Sequence, residues 1–184
     1  MKSRRSQEVT AISPRGVHVR AFTLIELLIV VVILGIMAAM VIPKFSNATQ
    51  ETKENMLREN LRMLKAQVGA YRAEHWDISP GYPNGDASVA PTAAAFVAQL
   101  TQYTDRDGVS NAQKTDRFKY GPYLRQMPKN PINGIETVEM VDVGAALPAS
   151  ADDSDGWIFR PDDLMTLRAD AAGSDSKGQS YYDY

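Results

Sequence analysis

The groups that could carry chemistry are few. Histidine occurs twice, at His18 and His75, and cysteine is absent from the 184 residues. A histidine-based triad or a multi-histidine metal cluster therefore lacks members. A disulfide framework and thiolate redox chemistry are excluded. The sequence has no GxxxxGK[ST] phosphate loop and no GxSxG nucleophile elbow. Asp105-Arg106-Asp107-Gly108 and Asp153-Ser154-Asp155-Gly156 place carboxylates close together. Neither has the sixth-position glycine and twelfth-position glutamate of an EF-hand, so both read as acidic turns. An enzyme is not expected. One carboxylate stands apart: Glu26 is the single charge in the 21-residue run from Phe22 to Ile42, FTLIELLIVVVILGIMAAMVI.

That run decides how the chain is organised. A helix of about 20 apolar residues crosses the roughly 30 Å hydrocarbon core of a bilayer. Five basic residues against Glu8 give residues 1–21 a net charge of +4, leaving −6 for residues 22–184. A basic head before an apolar run is a membrane-targeting arrangement. The acidic remainder argues against nucleic-acid binding, which needs a basic face. A secretory signal peptide is the competing reading. It calls for a shorter apolar core and a small-x-small cleavage site, and the sequence around Ala38 and Ala39 lacks that spacing. A retained membrane helix fits better.

Glu26 must then reach interfacial water or meet a cation, since a carboxylate at a span's centre costs about 2.5–3.5 kcal/mol. Cleavage between Ala21 and Phe22 would create such a cation, an α-amino group four residues before Glu26. The pair could form within one chain or between neighbours, where it would set register more than stability.

Residues 20–35, RAFTLIELLIVVVILG, resemble the amino-terminal signal of type IV prepilins and of type II secretion pseudopilins. In that family a membrane peptidase cuts before a phenylalanine that is then N-methylated, and the fifth mature residue is glutamate. Phe22 and Glu26 stand at those positions. Ala21 replaces the family's usual glycine before the cut; a small residue still fits, so processing is expected at a lower rate. The leader is also longer than the family's shortest ones.

The helix should continue beyond the membrane run. Gly35 and Pro43 read as softer points, because proline removes an N–H and crowds the preceding turn, a break that membrane helices tolerate. Leu57, Leu61, Leu64, Val68 and Tyr71 then form a stripe of helical spacing. Arg58, Glu59, Arg62, Lys65 and Arg72 are assigned to the opposite face. Ser79-Pro80-Gly81 should end the helix, which from Phe22 to Trp76 would measure about 80 Å.

The remainder reads as a small domain without internal repeats. Residues 80–91 form a loop, and residues 92–103 a second helix capped by Thr92 with Phe96, Val97 and Leu100 on one face. Residues 104–117 are a polar connection and the proline-rich residues 120–134 an irregular one. Residues 135–143 alternate as a strand, around Ile135, Val138, Met140 and Val141. Residues 156–168 read as strand–turn–strand, with Trp157 and Phe159 in the core. Residues 169–184 are polar enough to be a flexible tail.

The resemblance implies more than the pattern does. It implies an α+β, type IV pilin-like fold with the long helix packed on a small antiparallel sheet. Its parts would be a leader (1–21), a transmembrane and filament-core helix (22–42), an amphipathic continuation (43–76) and a periplasmic domain (77–184). The proline-rich segment resembles the one preceding the sheet in major pseudopilins, which favours a pseudopilus subunit driving protein export over a type IV pilus subunit. Its partners would be copies of itself, the prepilin peptidase and N-methyltransferase, an inner-membrane assembly platform and minor pseudopilins. The location would be the bacterial inner membrane, single-pass, with the domain in the periplasm. The family also carries calcium in C-terminal loops, for which Asp170, Asp175 and Asp183 are the candidate oxygens here; no other cofactor is expected. A membrane-tethered binding domain that never polymerises is the alternative from another class.

Overall fold

The computed structural model describes residues 22–163 and 166–184, without the side chains of 40–48. The chain divides into two compact units, Met1–Lys44 and Phe45–Tyr184. Helix α1 (Leu24–Glu74) begins in the first and ends in the second. The leader and Ala21 lie outside the described residues, as do Leu164 and Met165 of the expected strand pair.

In the first unit every residue from Phe22 to Ala39 is exposed. A helix that is apolar all round has no face to turn toward water, so such a surface marks a membrane or protein contact. Among the described residues no helix is long and apolar enough to cross a membrane. The apolar helical stretch whose side chains are described, 24–39, has 16 residues. That is about 24 Å of helix, and the sequence stays apolar through Ile42.

In the second unit α1 is amphipathic. Leu57, Leu61, Leu64, Val68 and Tyr71 are all buried, as their spacing predicts. The helix ends at Glu74, earlier than the Ser79-Pro80-Gly81 signal suggests. Trp76 takes the left-handed conformation (φ 58°) and the Asp77 N–H donates back to the Arg72 carbonyl at 3.0 Å. This is a Schellman-type closure with tryptophan where glycine is usual. The Arg72 side chain braces it through Asp77 at 2.8 Å.

Helix α2 (Ala93–Thr101) starts where expected, with the Thr92 hydroxyl accepting from the Ala95 N–H. It stops two residues short of Tyr103, because Tyr103–Thr104 form β1, paired antiparallel with β2 (Ser110–Asn111). The polar segment 104–117 thus holds all of the small hairpin except Tyr103. A three-stranded sheet follows: β3 (Val138–Met140), β4 (Trp157–Phe159) and β5 (Arg168–Ala169). Strands β4 and β5 are antiparallel, as expected, whereas β3 and β4 run parallel. The α+β class stands; the sheet is mixed. Trp157 and Phe159 are fully buried, and the Trp157 indole N–H donates to the Pro128 carbonyl at 2.9 Å, anchoring the proline-rich segment to the sheet.

The C-terminal segment is not a flexible tail. Asp170, Ala171, Asp175, Tyr181 and Tyr182 are buried, and Tyr181–Asp183 form a 3-10 turn.

Candidate functional site

Glu26 is the residue with the most specific sequence argument, and its local geometry is a capping box. The Glu26 N–H donates to the Thr23 hydroxyl at 3.2 Å, while the Thr23 N–H and hydroxyl donate to a Glu26 carboxylate oxygen at 2.8 and 3.0 Å. Threonine at the cap and glutamate three residues later satisfy two amide groups that the first turn leaves unpaired. The negative charge also sits at the positive end of the helix dipole. Neither water nor an α-amino partner is needed to explain the conformation seen. The signal was present as Thr23-Leu24-Ile25-Glu26 before an apolar run, a pattern that marks a helix start. Around the box Phe22, Leu27 and Val30 stand exposed. Gly35 and Pro43 both lie inside α1. A methyl group at Gly35 would meet nothing within 4 Å, so no contact in the first unit demands glycine there.

In the second unit, polar residues of α1 hold the C-terminal segment. Gln50, Glu54 and Arg58 recur every four residues and so share one helix face. The Gln50 amide donates to the Tyr181 hydroxyl at 2.6 Å. Glu54 is buried and accepts from the Ser176 N–H and hydroxyl at 3.1 and 3.2 Å. Arg58 pairs with Asp175 at 2.7 Å and lies 4.3 Å from the centre of the Tyr184 ring. Arg58 is therefore not on a purely solvated face. Sequence reasoning missed all three roles, because the partners lie more than a hundred residues away.

The three calcium candidates do not gather. Asp170 accepts from the Asp152 and Asp155 N–H groups at 2.9 and 2.8 Å. Asp175 accepts from the Tyr184 hydroxyl, from the Gln179 and Lys177 N–H groups and from Arg58, and these donors hold its carboxyl below the usual carboxylate range. Asp183 meets Arg168 at 3.3 Å. Calcium collects six to eight oxygens, whereas these carboxylates collect donors. Among the described residues no three His, Asp or Glu side chains form a metal-binding group. The residues present do not fit the ion. The acidic segment at Asp105 is a turn, as expected: its carboxylate accepts from the Asp107 and Val109 N–H groups and pairs with Arg117 at 2.8 Å.

Residues 18–42 match the family described as the prokaryotic N-terminal methylation motif. The chain is 29% identical over 110 residues to the type II secretion system core protein G of Pseudomonas aeruginosa, covering 60% of this chain and 66% of that one. It is 45% identical over 66 residues to the type IV major pilin protein PilA of Myxococcus xanthus, covering 36% and 29%. The chain carries the prepilin N-terminal methylation motif and is related to both a secretion pseudopilin and a type IV pilin. The matches span just under two thirds of the secretion protein and less than a third of the pilin. No solved structure matches significantly. The methylation motif takes in Phe22, Thr23 and Glu26, so the capping box lies wholly inside the matched segment.

Proposed function

We propose that the protein is a structural subunit of a type II secretion pseudopilus and has no enzymatic role. The observation that carries this reading is the methylation motif over residues 18–42, with an exposed apolar helix behind it. The longer alignment, to the secretion core protein, favours the pseudopilus. The higher identity over a shorter stretch, to the major pilin, supports a pilus subunit as the second reading.

In this account residues 1–21 are a leader removed after Ala21, and the new Phe22 amine is methylated. Residues 22–42 hold the subunit in the inner membrane until it is drawn into a filament, where neighbouring helices replace lipid. Residues 43–76 continue the helix, with Gly35 and Pro43 as its softer points, and residues 77–184 form the periplasmic domain. The peptidase, the assembly platform and minor pseudopilins are its partners. Glu26 has two tasks that follow one another. In the free subunit it caps its own helix; in the filament its charge meets the terminal amine of the incoming copy. The test separates them. Glu26→Gln keeps an acceptor for Thr23 but removes the charge, and should leave processing and insertion intact while lowering filament yield. Unchanged yield would remove the assembly role of Glu26.

A further inference from the structure

One groove on the second unit has no task in this account. Arg58, Leu61, Arg62 and Lys65 of α1 and Gln179 and Tyr184 of the C-terminal segment line a cavity of about 300 Å³. The Arg58 charge is answered by Asp175. Arg62 is largely exposed and lies 3.8 Å from Glu59, a loose surface pair. Lys65 is half-buried and joins none of the ion pairs among the described residues. Burial and the nearby Arg168 pull its pKa down, against the opposing charge of Asp163. Two cations thus face the groove, Arg62 answered only by a loose surface pair with Glu59 and Lys65 only by the charge of Asp163.

The complementary surface is on the same chain. Between Lys129 and Arg160 the sequence holds six carboxylates, Glu136, Glu139, Asp142, Asp152, Asp153 and Asp155, and no lysine or arginine. Glu136, Asp142, Asp152 and Asp153 are exposed. None of the ion pairs among the described residues joins this surface to the groove; Arg160, at its end, pairs with Asp162. Two unlike, oppositely charged patches on one chain make a heterologous contact, which does not close on itself and builds an open array. Charge complementarity of this kind fixes register and partner choice more than affinity.

We propose that the groove at Arg62 and Lys65 receives the acidic loop 152–155 of a second copy of this chain, setting the register between neighbouring domains. The inference rests on the filament reading. The test uses the full-length chain, assembled in cells that process it. Arg62→Glu with Lys65→Glu, and separately Asp152→Lys with Asp155→Lys, should each lower filament yield by about tenfold while the domains melt as the parent does. The combination of all four should restore it. Because the chain has no cysteine, Arg62→Cys with Asp152→Cys should give an intermolecular disulfide ladder. If the parent assembles but the reversals have no effect, or the combination fails to rescue, this contact is wrong and the filament reading survives. If the parent, processed to methylated Phe22, forms no filament, both fall.

Discussion

Helix α1 is built in two ways, and the contrast explains what each part is for. From Leu27 to Ala39 it is apolar around its whole circumference and exposed throughout. From Leu57 to Tyr71 it buries one stripe against its own domain. A stripe is enough when the partner surface is in the same chain. An all-round apolar surface has to be covered from outside, by lipid or by other helices. The first part therefore specifies an environment, and the second a fold.

The largest effect should separate the two parts. Leu64→Ala empties a fully buried position and should cost about 2–5 kcal/mol of domain stability. Val31→Ala, on the exposed part, should leave domain unfolding unchanged. Denaturant titration of both variants, followed by tryptophan fluorescence, checks this. Equal losses would mean that the two parts are not distinct.

A smaller loss is expected from Arg58→Ala, which removes the cation paired with the buried Asp175 carboxylate and leaves it to its remaining donors. The C-terminal segment should loosen, and limited proteolysis should cut within residues 169–184 faster than in the parent.

Acid should act on the domain through His75. It is buried, stacks on Tyr71 at 3.8 Å and hydrogen-bonds the Thr104 hydroxyl at 2.9 Å. Burial holds its pKa below the ordinary value, against the opposing pull of the Tyr71 and Asp105 backbone and the charges of Glu74 and Asp105. The unfolded chain then takes up a proton that the folded domain refuses. Stability is whole above about pH 6.5 and falls as the pH drops below it. Melting temperatures between pH 7.5 and 5.5 should decline for the parent and less for His75→Gln.

The smallest effect belongs to the first part. Thr23→Ala removes the cap and should cost the helix start about 1 kcal/mol, seen as faster amide exchange in its first turn, with domain melting unmoved.

What could be read from the sequence follows the same division. The apolar run, the Leu57–Tyr71 stripe, the Thr92 cap and the buried Trp157 and Phe159 announce themselves by local pattern. The hairpin β1–β2 does not, because strands of two residues are too short to show alternation and Tyr103 looks like the end of α2. The parallel pairing of β3 with β4 is a matter of register across a 16-residue connection, which local pattern cannot encode. The C-terminal segment is the clearest miss. Its composition is that of a tail, yet Gln50, Glu54 and Arg58 satisfy its polar groups one by one, so order there comes from distant partners. For the candidate site, Glu26 was singled out by its isolation in an apolar run, while Thr23, its structural partner, was passed over although the spacing was visible.

The central claim is that the mature protein begins at Phe22, two residues before the exposed apolar helix. Mass spectrometry of the N-terminal peptide, with the intact mass, on protein from native membranes tests it most directly. A chain starting at N-methyl-Phe22 is the result predicted. A chain starting at Met1, or beyond Ala39, would contradict it.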